Sequence, residues 1–163
     1  MSRRADLLFL MTDHQRADSI GMVQAGIEVT PNLNRLAAEA VHFTRAYTTC
    51  PLCVPARTAL ATGRYPTANG VVTNDWQGVT AGDFPPVHQL LAEAGYRVAH
   101  LGVDHIRVNP PLASRVAFSR HLGMTEHRQW LQAQGINDAP PEGPGSYQRP
   151  LLENRGGVPT KAA

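Results

Sequence analysis

Cys53 and Arg57 stand four residues apart within Thr49-Cys50-Pro51-Leu52-Cys53-Val54-Pro55-Ala56-Arg57-Thr58-Ala59-Leu60-Ala61-Thr62-Gly63-Arg64. Pro55 suits a first helical turn, and Ala56 to Ala61 are good helix formers apart from Thr58. A helix is therefore predicted from about Cys53–Pro55 to Gly63. Cys53 then lies at a helix N-terminus, where unpaired N–H groups and the helix dipole favour negative charge. Arg57 falls on the same face, and its guanidinium fork can hold a sulfate, a phosphate or the nucleophile itself. A nucleophile, an anion pocket and a cation thus converge within one turn. Two other readings stay open on chemistry alone. Cys53 can be a small buried residue with Arg57 a surface ion-pair partner, or Cys50-Pro51-Leu52-Cys53 can be a redox pair or half a zinc site. Against the last two, there is no second Cys pair and no thioredoxin-like pattern.

Other elements are needed to position this group. Residues 6–11 form a continuous apolar run that suits a strand covered on both faces of a parallel sheet. Asp13 falls just past its carboxyl end, where ligand sites of open α/β sheets collect. A helix is expected from Thr30-Pro31, capped by Thr30, with Leu33, Leu36, Ala37 and Ala40 on one stripe. Val41, Phe43, Arg45 and Tyr47 alternate like a strand. A further helix is predicted from about Pro86 to Ala94 with Gly95 as its stop, then a strand over Arg97–Val103 and a helix over Glu126–Gln134. Pro140 to Gly145 reads as turn or linker, and 156–163 shows no periodicity. Strands alternating with helices give an α/β layered fold.

Composition narrows the class. At 163 residues the chain can bury one core. Apolar residues at 42% and charged residues at 17% suit a globular protein rather than a disordered one. With 15 Lys and Arg against 13 Asp and Glu, and basic residues scattered, no nucleic-acid partner is expected. The apolar run at 7–11 is too short for a membrane span or a signal-peptide core, so no membrane partner and a cytoplasmic location are expected. Two cysteines exclude a disulfide-dense scaffold. His42, His88, His100, His121 and His127 read as structural histidines, and Trp76 and Trp130 as packing residues.

Cys53-Val54-Pro55-Ala56-Arg57, with Leu60 and Thr62-Gly63-Arg64-Tyr65-Pro66, resembles the signature of the sulfatase family. Three further blocks agree in order. Leu7-Leu8-Phe9-Leu10-Met11-Thr12-Asp13-His14 is similar to that family's opening metal-binding strand. Thr30-Pro31-Asn32-Leu33-Asn34-Arg35-Leu36-Ala37 is similar to its following helix, and Gly95-Tyr96-Arg97-Val98-Ala99-His100-Leu101-Gly102 to a later strand leading to the pocket. The resemblance spans about residues 6–124 and extends to phosphonate monoester hydrolases. It implies a doubly wound, mostly parallel sheet of the alkaline-phosphatase type, incomplete in this chain. Residues 1–124 would be the N-terminal part of the catalytic domain, and 125–163 a helix with a Pro/Gly-rich tail.

The implied activity is hydrolysis of sulfate esters by a formylglycine made from Cys53. A formylglycine-generating enzyme that reads Pro55 and Arg57 is the implied partner, and a small anionic ester the substrate. A divalent cation, calcium with manganese as the alternative, would contact Asp13 and the formylglycine, with His14 a weaker candidate ligand. Arg57 would orient the nucleophile, His105 would position or deprotonate the hydrated aldehyde, and Asn74 would face the substrate. The family's second N-terminal metal Asp is His14 here, and its substrate-binding Lys is Val103. The lost cation leaves room for a less charged phosphodiester or phosphonate ester as the alternative substrate. The family's remaining metal ligands belong to later blocks, so the chain alone is expected to be inactive or marginally folded. The other alternative is a non-catalytic fragment that self-associates or pairs with a missing C-terminal half.

Overall fold

The computed structural model describes residues 4–75, 78–136, 152–155 and 158–161, the last two segments as backbone only. The chain divides into two compact units, Met1–Thr48 and Thr49–Ala163. Among the described residues no helix is long and apolar enough to cross a membrane.

The first unit has a single 3-10 turn at Ala17–Ser19, an antiparallel hairpin of β1 (Val23–Gln24) and β2 (Ile27–Glu28), and helix α1 (Pro31–Glu39). Ala25 and Gly26 both have positive φ, 50° and 80°, which is the backbone a two-residue hairpin turn requires. Asn34 ties the hairpin to α1: its Oδ1 accepts the Gly21 N–H at 2.7 Å. Thr30 occupies the N-cap position as expected, yet its side chain makes no bond to a helix N–H. Its hydroxyl instead donates to the Ser19 carbonyl at 2.8 Å and lies 3.0 Å from Asn34 Oδ1.

Two expected strands are absent from this unit. Residues 6–11 and 41–47 have no strand pairing, and Leu8, Phe43 and Tyr47 are 84%, 76% and 87% exposed. An apolar or alternating pattern specifies how side chains are presented. A strand also needs a neighbour to accept and donate its backbone hydrogen bonds, and no described segment supplies one to either run.

The second unit opens with α2 (Cys53–Thr62), followed by α3 (Pro66–Asn69), α4 (Val87–Glu93), β3 (Ala99–Leu101), α5 (Leu112–Arg115), β4 (Arg120–Leu122) and α6 (Met124–Ala133). Gly63 ends α2 in the left-handed conformation at φ 63°, which a residue without Cβ adopts at little cost. The predicted strand at 97–103 shortens to β3, which pairs in parallel with β4 through Ala99–Arg120, His100–His121 and Leu101–Leu122. Parallel neighbours joined through an intervening helix are the α/β arrangement expected from the sequence. The segment 156–163, read as aperiodic, contains β6 (Val158–Lys161), antiparallel to β5 (Leu152–Arg155). The expected linker at 140–145 and Trp76 lie outside the described residues.

The core of this unit gathers Val54, Val71, Ala81, Val98, Val108, Leu112 and Val116, with Phe84, Leu91, Tyr96, Ile106 and Phe118 packed around it. Val54, beside Cys53, is fully buried. Burying a valine contributes about 1.5–3 kcal/mol, so the start of α2 is anchored where the candidate nucleophile emerges. Arg115 binds the loops together from α5: Nε donates to the Pro110 carbonyl at 3.0 Å and Nη2 to the Gly82 carbonyl at 3.2 Å.

Candidate active site

Cys53 is the first residue of α2 and is half-buried. Leu52 precedes it in an extended conformation and accepts the Ala56 N–H at 3.0 Å. That leaves the first N–H groups of the helix to find other partners. Val54 N–H donates to Asn74 Oδ1 at 3.0 Å. Leu52 has no side-chain acceptor to offer, so Asn74, twenty residues on, does the work of an N-cap side chain. The same side chain turns its Nδ2 toward Cys53 Sγ, 3.9 Å away. Asn74, the candidate substrate contact, thus orients the helix terminus and faces the thiol.

Arg57 lies one turn along α2. Its Nη1 donates to the Val103 carbonyl at 3.0 Å. Thr58, the next residue and fully buried, accepts the Arg107 N–H on Oγ1 at 2.9 Å. Arg107 in turn accepts the Ala81 N–H at 2.8 Å and donates its guanidinium to the Gly78 carbonyl. Segment 103–107 is therefore held to α2 at both ends, with His105 at its middle. His105 is half-buried and has a positive φ of 42°, which is uncommon for a residue with a side chain. Its N–H donates to Asp104 Oδ1 at 2.5 Å.

Asp13 and His14 belong to the first unit, at a bend after the apolar run. Their side chains face one another, His14 Nε2 to Asp13 Oδ1 at 3.5 Å, and both are exposed. His14 also has a positive φ, 54°. Of the residues expected to share a site, the second unit thus joins Cys53 to Asn74 and joins Arg57 to the segment carrying His105.

Sequence reasoning passed over Thr58 and Arg107. The one available signal was a hydroxyl in an otherwise aliphatic helix, since a fully buried Thr needs a hydrogen-bond partner. It also treated His88, His100 and His121 as separate structural residues. His88 Nε2 and His100 Nδ1 share a hydrogen bond at 3.3 Å. The His100 ring stacks on that of His121 at 5.7 Å, and Phe118 fills the centre of the group. His121 Nε2 reaches Asp104 Oδ2 at 4.0 Å. His127 stacks on Trp130 along the exposed face of α6 at 6.2 Å. Burial holds the basicity of His88 below the usual imidazole range, with the neighbouring His100 adding to the effect. His100 is lowered chiefly by burial too, partly offset by the Asp104 carboxylate.

The family model for Sulfatase matches residues 5–154. The chain is 35% identical over 105 residues to the uncharacterized sulfatase YidJ of Escherichia coli K12, covering 64% of this chain and 20% of that protein. It is 29% identical over 168 residues to human arylsulfatase A, covering 94% of this chain and 33% of the relative. Human N-acetylgalactosamine-6-sulfatase is 35% identical over 116 residues, covering 64% and 22%. The chain thus spans between 20% and 33% of the length of these relatives. No solved structure matches it significantly. The block around Cys53, the capped helix that presents it and the match over nearly the whole chain agree: the chain belongs to the sulfatase family.

Proposed function

We propose that this chain carries the nucleophile side of a site that hydrolyses sulfate esters, with a formylglycine made from Cys53 attacking sulfur. The observation that carries this reading is the start of α2, where Cys53 emerges under the Asn74 side chain with Arg57 one turn on. A hydrated aldehyde at that point lies at the positive end of the α2 dipole, beside the Asn74 amide and with Arg57 one turn on, an arrangement that favours developing negative charge. Asn74 Nδ2 offers a hydrogen bond to the nucleophile's oxygen or to a sulfuryl oxygen. His105 is the proton carrier of the hydrated aldehyde. The doubly wound sheet of alkaline-phosphatase type, and residues 1–124 as its N-terminal part, belong to the same proposal; the parallel β3–β4 pair supports them.

Asp13 suits the implied cation, because calcium and manganese favour carboxylate oxygens. His14 is a poorer ligand for calcium and faces the Asp13 carboxylate, so its part is to orient that group. Calcium takes about six to eight oxygens, and Asp13 would supply one of them. When bound, such a cation polarises the ester oxygen and offsets developing charge.

A second reading keeps the same nucleophile and changes the substrate. Val103 stands where the resemblance calls for a lysine, which favours esters of lower charge, the phosphodiesters and phosphonate monoesters. Turnover of paired aryl sulfate and aryl phosphonate esters tests both, using chain co-produced with a formylglycine-generating enzyme. Sulfate cleavage that Cys53→Ala abolishes supports the first reading, and preferential phosphonate cleavage moves it to the second. Cleavage of neither ester makes the chain a non-catalytic fragment.

A further inference from the structure

Two neighbouring residues of α2 bracket a third residue that is distant in sequence. Arg57 holds the carbonyl of Val103 and Thr58 holds the N–H of Arg107, at 3.0 and 2.9 Å. These anchors lie two residues before and two residues after His105. The intervening backbone is bent through a positive φ at His105, and Asp104 Oδ1 closes the turn onto the His105 N–H. A non-glycine residue in this conformation persists only where its surroundings over-determine it. Anchors on both sides provide that. Thr58 is the more informative of the two. It is fully buried, it offers a single hydroxyl, and that hydroxyl accepts the Arg107 N–H. Valine has almost the same shape and differs by the loss of this hydroxyl.

We infer that Thr58 is a positioning residue for His105: its hydroxyl, acting with Arg57, ties segment 103–107 to α2 and so fixes His105 relative to the helix that begins at Cys53. The inference rests on the proposed function for its consequence in turnover, and on hydrogen bonds alone for its structural content. A helix is stiff over one turn, so an anchor at position 58 transmits the placement of Cys53 to His105 with little slack. Proton transfer depends on distance and alignment, and a misplacement of about 1 Å can cost about a hundredfold in rate. Loss of one of two anchors is therefore expected to lower kcat by about tenfold or more and to leave KM nearly unchanged.

Thr58→Val and Thr58→Ser separate this role from packing. In the whole chain, NMR reads His105 directly, through its backbone three-bond HN–Hα coupling and its imidazole resonances. Thr58→Val is expected to shift both, and Thr58→Ser to restore them, with kcat following the same order wherever ester cleavage is measurable. A folded Thr58→Val chain with the His105 coupling and resonances of the parent overturns the inference, whatever its turnover. If the NMR signals move while Cys53 of the native-host protein stays an unmodified thiol, the positioning stands and the proposed function falls. Should Thr58→Val fail to fold, hydrogen exchange at the Arg107 amide of the unaltered chain decides. Protection like that of the Val54 amide supports the anchor, and exchange as fast as an exposed loop amide overturns it.

Discussion

Asn74 Oδ1 accepts the Val54 N–H at 3.0 Å while its Nδ2 faces Cys53 Sγ at 3.9 Å. One side chain therefore both caps α2 and borders the candidate nucleophile. Caps normally come from the residue just before the helix. Here that residue is Leu52, whose side chain has no acceptor, and the function passes to Asn74, in a loop twenty residues beyond Val54. The start of α2 is in this way tied to the second unit's tertiary fold.

Replacing Asn74 by Ala removes the acceptor and leaves the Val54 N–H beside a fully buried side chain without its partner. A loss of about 1 kcal/mol in unfolding free energy is expected, toward 2 if water cannot reach the group. Asn74→Asp keeps an acceptor and should recover most of it. Urea unfolding of the three chains at one pH measures the difference.

Arg57 makes a charge-assisted bond to a main-chain carbonyl, of a kind that contributes about 1.5–3 kcal/mol. Arg57→Ala should release segment 103–107 from one end. Amide exchange of Asp104, His105 and Ile106 is expected to accelerate by about tenfold to a hundredfold, with the β3 and β4 amides much less affected. Mass-resolved hydrogen exchange checks this.

Because Arg57 contacts the main chain of Val103 and not its side chain, that side chain can change without loss of the anchor. Val103→Lys restores a cation at the position where the resemblance calls for one. Inorganic sulfate should then bind at least about tenfold more tightly, as a charge-assisted hydrogen bond adds about 1.5 kcal/mol or more. Calorimetric titration with sulfate at fixed ionic strength reads the change; unaltered affinity would place the side chain away from the anion.

His88 and His100 both have lowered basicity, chiefly through burial. Asp104 opposes the effect at each, while His100 acts on His88, and His121 and Arg57 act on His100. For a base held below its ordinary range by folding, the unfolded chain binds protons first as pH falls. The linked stability is fully present above the ordinary imidazole value of about 6.5 and is lost as pH drops from there through the lower folded values. Unfolding of the metal-free chain in chelator, followed from pH 7.5 to 5, should show a stability that holds to about pH 6.5 and declines below it, and His100→Gln should flatten that decline.

The sequence made the helices legible for a local reason. Pro55 and Gly63 bracket α2, and Gly95 stops the helix before β3; each acts through its own backbone geometry within a few residues. What the sequence left hidden is non-local. Residues 6–11 and 41–47 carry strand-like patterns, but no pattern states which segment will pair with them. The register that sets His100 beside His121 depends on a parallel pairing across twenty residues. Cys53, Arg57 and His105 were found from the signature and its neighbouring blocks. Thr58 and the capping role of Asn74 were not, because a buried hydroxyl and a distant amide look like ordinary polar residues until their partners are in place.

Every role proposed for this site depends on Cys53 being a precursor of formylglycine. Peptide mass spectrometry of the tryptic fragment containing Cys53, from protein made in its native host, tests it most directly. The expected result is a loss of about 18 Da at Cys53, the difference between a cysteine and a formylglycine residue, with retention of the parent mass in an Arg57→Ala chain that the activating enzyme no longer reads. An unmodified Cys53 thiol in the native-host protein would rule out a formylglycine nucleophile there.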